Sequence, residues 1–448
     1  MKKPMVWIIS HFAGGPSYCP RIPDYSLAKY LREHGYEALV FAGSALHNTE
    51  TNFITDGSAY RETMVDGVPF VYVYTRQYKS MKGESLSFID FYRNMMKCYK
   101  HFDKPDIIMA AMPQPLSCLA GYRIAKKYHI PYITSIVDLW PLSIVEYANF
   151  SDHNPAIMAM YAYEKWLYRK SDELVFTWEG AYDYIIDKGW DKKIPRSKFH
   201  YINIGVDLSE FYHNMEIYKI EDSDLADDKF RVMYCGSVRT ANDIGTVVSA
   251  ARIINEEGYG DKIRFIIYGD GPDKEILEKR CIDEGITNVV FKGSIEKKYI
   301  PYVLSCSNLN ILNLKPAKTQ KYGNSSNKLF EYLAAGNPVI ANIDEGRYPI
   351  ISKYQCGQVV EPGSPEAYAK GIEHFYSLSA EDMAVYKEHA VATAKLFDTE
   401  EMNGAWEKVI RESIAKRSRS VLQGDHYRST ALHDAELETE GREPYAEI

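Results

Sequence analysis

The segment Lys321 to Ala341, KYGNSSNKLFEYLAAGNPVIA, carries the residues best suited to chemistry. Its polar, glycine-containing start, Tyr322-Gly323-Asn324-Ser325-Ser326-Asn327, runs into an apolar periodicity from Lys328 that stops at Gly336-Asn337-Pro338, which predicts a loop feeding a helix. A helix N-terminus presents unpaired backbone N–H groups and the positive end of the dipole, and so suits a diphosphate. Lys321 and Lys328 would add cationic contacts, and the Glu331 carboxylate, one turn further in, can accept two hydroxyl hydrogen bonds from a ribose. Capped helices beside a lysine are also common without any ligand, and these residues alone leave both readings open.

Three other segments invite similar scrutiny. His11-Phe12-Ala13-Gly14-Gly15 follows a first apolar run, and backbone lacking Cβ atoms at the carboxyl end of a strand lets a phosphate or sugar approach closely. The same residues read equally as a plain turn with a surface histidine. They do not form GxGxxG, which argues against NAD or FAD. Gly269-Asp270-Gly271-Pro272 is explained by a tight turn with proline opening a helix. Asp222-Ser223-Asp224 has the form of a DxD metal motif, but it lies in an acidic stretch with no strand before it. Solvated charge is the expected role, and no metal or cofactor is predicted.

The stretch Tyr74 to Phe102 is strongly basic, with Arg76, Lys79, Lys82, Arg93, Lys97 and Lys100 against Glu84 and Asp90. Phe88, Phe91, Tyr92, Met95, Met96 and Tyr99 recur among them at near-helical spacing. Such a helix can lie in an anionic membrane interface, or its apolar stripe can simply be core. Arg93, Lys97 and Lys100 are the candidates for acceptor or membrane contact.

These segments need a scaffold, and the rest of the chain supplies its pattern. The 448 residues are 46% hydrophobic and 25% charged, an ordinary globular composition whose length favours two domains. A net charge of −8 excludes a protein that coats nucleic acid. Seven scattered cysteines with no CxxC pair point to reduced thiols in a cytoplasm. The N-terminal apolar run is too short for a secretory signal, and no apolar run of ~18 residues is present to span a membrane. Tyrosine is in excess, 36 against 17 phenylalanines.

Short apolar runs alternate with amphipathic stretches throughout, which is the signal of parallel α/β sheets. Strands are expected at Met5–Ser10, Glu37–Phe41, Phe70–Tyr74, Ile107–Ala111, Tyr132–Val137 and Glu173–Thr177. A second series runs over Phe230–Tyr234, Ile263–Tyr268, Val289–Phe291, Leu309–Leu312, Pro338–Ala341 and Gly357–Val360. The expected architecture is two Rossmann-like domains, 1–205 and 206–395, facing a central cleft. A helix over 396–418 is expected to cross back to the first domain, followed by a frayed or disordered tail over 419–448.

On these residues the chain resembles the retaining family-4 glycosyltransferases of the GT-B fold, in particular the bacterial branch that builds capsule, exopolysaccharide and O-antigen units. Asn327 to Ala341 is similar to that family's donor-site helix. Tyr234-Cys235-Gly236-Ser237, the Gly269 to Pro272 segment, Ile204-Gly205-Val206-Asp207 and Asp138-Leu139-Trp140-Pro141 agree with it in order and spacing. The resemblance implies a sugar transfer from a nucleotide-diphosphate donor to a lipid-linked sugar or growing glycan, metal-independent, in the cytoplasm at the inner face of the plasma membrane. It gives Glu331 the ribose and sets Gly14, Gly15 and Gly236 around the donor. Asp138 is the candidate for orienting sugar or acceptor.

The departures are specific. The first glutamate of the family's E-x7-E motif is replaced by Gly323, with the loop backbone, Asn324 or Ser325 as substitutes. The family's arginine and lysine positions in the second domain are Ser237 and Asn242, which leaves Arg239, Lys315 and Lys321 as cations for the leaving diphosphate. Two alternatives follow: a nucleotide-sugar 2-epimerase of the same architecture, and a non-catalytic GT-B scaffold.

Overall fold

The alternation folds as two parallel sheets, each covered on both faces by helices. The structure, a computed structural model, describes residues 2–16, 23–47, 49–147 and 150–440, with backbone alone for Met81, Tyr147 and residues 420–440. In chain order the first part contains β1 (Met5–Ile9), α1 (Pro23–Glu33), β2 (Glu37–Gly43), β3 (Tyr60–Val65), β4 (Val68–Val73), α2 (Met81–Cys98), β5 (Ile107–Met112), α3 (Pro115–Tyr128), β6 (Tyr132–Ile136), α4 (Leu142–Tyr147), α5 (Pro155–Lys170), β7 (Glu173–Phe176), α6 (Ala181–Asp187) and β8 (Phe199–Tyr201). The second contains α7 (Leu208–Ile217), α8 (Ser223–Ala226), β9 (Phe230–Cys235), α9 (Ile244–Ile254), β10 (Ile263–Tyr268), α10 (Lys274–Asp283), β11 (Val289–Gly293), α11 (Ile300–Ser305), β12 (Leu309–Leu312), α12 (Asn327–Ala334), β13 (Val339–Ala341), α13 (Ile351–Tyr354), β14 (Gly357–Val359), α14 (Pro365–Ser377), α15 (Ala380–Leu396) and α16 (Thr399–Glu440).

The first sheet has eight strands in the order β3-β4-β2-β1-β5-β6-β7-β8, and the second six in the order β11-β10-β9-β12-β13-β14. All pairs are parallel except the β3–β4 hairpin. The strand order reverses between β1 and β5 in one sheet and between β9 and β12 in the other, and ligands of such sheets bind in the crevice beyond these two points. The central strands show why their residues are apolar throughout. Trp7 and Ile9 join Phe41 and Val71 on one face of β1, while Val6 and Ile8 join Ala28 and Leu31 on the other. In β9, Met233 and Cys235 meet Leu329 and Leu333 of α12, and Val232 and Tyr234 meet Val247 and Val248 of α9.

After β8 the chain crosses to the second sheet, and it returns beside its own crossing point. The Val206 N–H donates to the Phe397 carbonyl at 2.9 Å and the Thr399 N–H donates to the Val206 carbonyl at 2.9 Å. Helix α16 then lies on α1: the Tyr36 hydroxyl donates to Glu407 at 2.6 Å, and Val409 and Ile410 enter the core beside Val6 and Ile8. The backbone of α16 runs as helix to Glu440, past residue 419 where a frayed tail is expected, over a stretch rich in helix formers such as Leu, Gln, Ala and Glu. Residues 441–448 lie outside the described residues.

Two expectations about side chains are corrected. Phe91, Met95 and Tyr99 are buried in the first core, so the apolar stripe of α2 packs inward rather than offering itself to lipid. Arg93, Lys97 and Lys100 lie on the exposed side. Asp222 and Asp224 are not solvated charges: Lys292 reaches them at 2.7 and 2.5 Å, Arg264 pairs with Asp224, and the Tyr268 hydroxyl donates to Asp222. Among the described residues, six cysteines are free; Cys19 lies outside them.

Candidate functional site

Beyond the β9/β12 reversal the carboxyl end of β9 meets the start of α12. Lys328, in the first turn of α12, donates from Nζ to the Tyr234 hydroxyl at 3.0 Å and to Asn242 Oδ1 at 3.0 Å. Both partners are themselves held. The Tyr234 hydroxyl donates to the Ser237 carbonyl at 2.9 Å, and Asn242 Nδ2 donates to the same carbonyl at 2.7 Å and to Ser237 Oγ at 2.9 Å. The ammonium lies directly on the Gly236 backbone, where a Cβ would fall 2.5 Å from Lys328 Cε. Lys328 therefore brings a cation to Asn242, the position where the resembled family has its own lysine.

Ser326, at the N-cap of α12, makes no side-chain cap hydrogen bond, and the Leu329 N–H donates to the Ser326 carbonyl at 3.1 Å. Glu331, half-buried one turn later, lines a cavity of about 140 Å³ with Asn327, Ile204, Gly205, Lys297 and Pro301. Arg239 is exposed and lines the larger cavity described below. Lys315 is exposed, and its backbone N–H donates to the Ala241 carbonyl at 2.9 Å.

The loop before α12, residues 318–326, closes against the first domain. The Ser325 hydroxyl donates to Thr177 Oγ1 at 2.7 Å, Asn203 Nδ2 donates to the Asn324 carbonyl at 3.2 Å, and the Gly180 N–H donates to the Tyr322 carbonyl at 2.9 Å. Gly323 has a φ of 107°, a backbone conformation that favours glycine, and a Cβ there would lie 3.4 Å from Tyr348. The position at which an acidic side chain is missing is thus a turn packed against the neighbouring domain. Lys321, expected over the diphosphate, instead donates to Asp187 of α6 at 2.7 Å, so its charge is spent on the interface between the domains.

Across the cleft a cavity of about 1370 Å³ opens beyond the β1/β5 reversal. One part of its wall is polar, with Ser10, Asp24, Glu84, Asp138, Thr177 and Asn203. Another is apolar, with Phe88, Leu116, Trp140, Ile144, Met160 and Trp406. Asp138 is exposed to this cavity. His11 is not a surface residue: it is 2% exposed, and its ring lies edge-on to Phe12, Phe88 and Phe91. Burial, with His47 adding repulsion, pushes its pKa from 6.5 to about 3 and keeps it neutral. Burial also raises the Asp24 carboxyl, with a Ser10 hydrogen bond opposing. Gly14 is buried, and a Cβ on Gly15 would fall 2.2 Å from Val65 Cγ1, so Gly15 serves packing against the β3–β4 hairpin. At this end Ser10, His11 and Phe12 form the cavity wall.

Sequence reasoning missed His11 as a buried wall, together with Asp24 and Trp406. Trp406 comes from α16, some 400 residues away along the chain, and only the return crossing brings it to the cavity. Among the described residues no group of three or more His, Cys, Asp and Glu is placed to hold a metal ion, and no helix is long and apolar enough to cross a membrane.

Comparison with known proteins bears on the fold. Residues 25–210 match the family model Glycosyltransferase Family 4, and residues 217–391 match Glycosyl transferases group 1. An uncharacterized glycosyltransferase of Methanocaldococcus jannaschii is 23% identical over 285 residues, 61% of this chain and 65% of that protein. The 2-deoxystreptamine N-acetyl-D-glucosaminyltransferase of Niallia circulans is 27% identical over 142 residues, 32% of this chain and 34% of that one. The chain thus spans less than two thirds of the length of these curated relatives. Among solved structures, a sucrose-phosphate synthase from Thermosynechococcus elongatus superposes with a TM-score of 0.68 at 17% identity, covering 92% of this chain and 100% of that one. Anabaena HepE in complex with UDP gives 0.65 at 14% identity, covering 91% and 100%.

Proposed function

We propose that this chain, whose two facing parallel-sheet domains are the GT-B fold of the glycosyltransferases, moves a sugar from a nucleotide-diphosphate donor to a lipid-linked sugar or growing glycan, with retention at the anomeric carbon and without a metal ion. The observation that carries this reading is the Lys328 ammonium, fixed on Gly236 by Tyr234 and Asn242 beside the uncapped start of α12.

Breaking the anomeric C–O bond builds positive charge on the sugar ring and negative charge on the departing diphosphate. Fixed donors that need no rearrangement lower that barrier most. Lys328, the start of α12 and Arg239, in the segment between β9 and α9, are assigned to the diphosphate. Glu331 is assigned to the ribose hydroxyls, and Asp138 to orienting sugar or acceptor. The polar wall of the large cavity suits sugar hydroxyls, and its apolar wall suits the lipid of a lipid-linked acceptor. Arg93, Lys97 and Lys100 would hold the enzyme electrostatically to an anionic membrane, at the inner face of the plasma membrane.

A thermal-shift panel of UDP, GDP and dTDP tests the donor site, because a ligand that binds only the folded protein raises its stability with concentration. One nucleoside diphosphate should raise the midpoint, and its sugar conjugate should glycosylate a lipid-linked acceptor with the anomeric configuration kept, as read by NMR. No shift with any of the three overturns the donor site. Isomerisation of the donor without acceptor would identify a nucleotide-sugar 2-epimerase, and binding without turnover a scaffold.

A further inference from the structure

Glu164 takes no part in the chemistry above, yet two helices meet at it. It lies on α5, is fully buried, and has one tyrosine hydroxyl on each carboxylate oxygen: Tyr168 of the same helix donates to Oε1 at 2.8 Å, and Tyr184 of α6 donates to Oε2 at 2.7 Å. A buried acid is costly unless its oxygens are hydrogen-bonded, and here both are. Burial pushes this carboxyl up to about 8, against the two hydroxyls and the Lys188 charge. The Tyr168 bond holds the carboxyl within α5, and the Tyr184 bond ties α6 to α5.

The donor loop rests on α6. The Tyr184 ring stands edge-on to the Tyr322 ring, with centroids 5.6 Å apart and planes at 76°. The Tyr322 hydroxyl donates at 2.8 Å to Asp187, one helical turn beyond Tyr184, and the Tyr322 carbonyl accepts from Gly180 just before the helix. A shift of α6 would therefore move Tyr322 at its ring, its hydroxyl and its backbone together. The neighbouring face of α5, through Ala156, Ala159, Met160 and Tyr163, lines the large cavity. One helix thus touches the cavity and, through Glu164, sets the bed of the donor loop.

We propose that Glu164 is a positioning residue for the donor loop: through Tyr184 it places Tyr322, and with it the chain that leads into α12. The loop contacts carry this inference, and only its binding readout rests on the donor-site reading above.

Hydrogen–deuterium exchange on the full chain, with E164L, E164Q and Y184F, tests it. Backbone amides of residues 318–326 should exchange about tenfold faster in E164L and Y184F while those of β9, β10 and β12 keep wild-type protection. E164Q, which keeps one oxygen acceptor, should restore most of the protection. Whichever of UDP, GDP and dTDP binds the wild-type protein best should bind E164L and Y184F about tenfold more weakly. Wild-type exchange of 318–326 in Y184F overturns the proposal, and so does a uniform loss of protection over both sheets. If the wild-type protein binds none of the three probes, the donor-site reading fails while the exchange result still decides the role of Glu164.

Discussion

Lys321 and Asp187 meet at 2.7 Å across the boundary between the two domains, and the Tyr322 hydroxyl shares the same carboxylate oxygen at 2.8 Å. The cation that stands next to the diphosphate loop in sequence is therefore part of a clasp. The Lys321 hydrogen bond, then that of Tyr322, holds the Asp187 carboxyl below its ordinary value. A lowered carboxyl contributes stability that is present above its unfolded pKa and lost as the pH falls through the folded one. Both side chains are about half exposed, so the pair contributes less than ~1 kcal/mol. Asp187→Asn should leave the unfolding midpoint nearly unchanged and weaken nucleoside-diphosphate binding a few-fold, the difference from wild type shrinking in high salt. A loss of several kcal/mol in denaturant unfolding would contradict this account.

Lys328 should matter far more than Lys321. Removing a fixed charge from a leaving-group site costs about 10²–10³ in kcat. Lys328→Met is expected to lose that much turnover with the fold intact, whereas Lys321→Ala should lose less than about tenfold. Equal losses in steady-state kinetics would return Lys321 to the diphosphate.

Gly236→Ala offers an independent probe of the same ammonium. The added Cβ would meet the far end of the Lys328 side chain at 2.5 Å, and the Gly236 backbone, with φ of 157°, strains any L side chain as well. Turnover should drop by about tenfold or more, and urea unfolding of the same variant separates displacement of the ammonium from the cost of the strained backbone. Full activity would mean that the position of Lys328 is not critical.

His11 sets a limit on acid stability. Its folded pKa, about 3, lies below the ordinary 6.5, so the unfolded chain takes up a proton that the folded one refuses. Stability contributed by this group is complete above pH 6.5 and falls by up to ~1.4 kcal/mol per pH unit below it. His11→Gln should flatten that slope in urea titrations between pH 6.5 and 4. An unchanged slope would place the proton uptake elsewhere.

Ala159 faces the large cavity from α5. Ala159→Phe should fill part of the apolar wall and raise the acceptor KM by about tenfold, while donor binding stays as in the wild-type protein. A rise in the donor dissociation constant of the same size would mean that the cavity does not belong to the acceptor.

Much of the scaffold was legible because its signals are local. The apolar runs at Ile263–Tyr268 and Leu309–Leu312 coincide with β10 and β12, and the helix start at Asn327 follows from the polar loop and the spacing of Leu329, Phe330 and Leu333. Strand β3, YRETMV, was not expected: it is a half-exposed edge strand with no continuous apolar run. Its signal was the Asp66-Gly67 pair that follows, with φ of 46° and 83°, a tight hairpin turn. Strand β8 has only three residues at the opposite edge.

The site was legible where one helix carries it and illegible where two domains make it. Spacing alone placed Lys328 and Glu331 on α12. Nothing in the order of residues says that Lys321 meets α6, or that Gly323 is a turn against Tyr348. The stripe of Phe91, Met95 and Tyr99 has the same period whether it meets lipid or core, and only the presence of α3 decides for core. The 36 tyrosines find a partial reason in their hydroxyls, which tie one element to another: Tyr132 to Cys118, Tyr332 to Cys235, Tyr348 to Asp183, Tyr36 to Glu407.

The return of α16 to the first domain has a consequence for the order of assembly on the ribosome. Val409 and Ile410 complete the packing around Val6 and Ile8, so the first sheet leaves the exit tunnel with one flank uncovered and keeps it so until the whole second domain has been synthesised. Domains of a nascent chain generally fold from the N-terminal end, and uncovered apolar surface invites association with other chains. The N-terminal half, expressed alone, should be aggregation-prone, and supplying residues 399–419 as a separate peptide should rescue it.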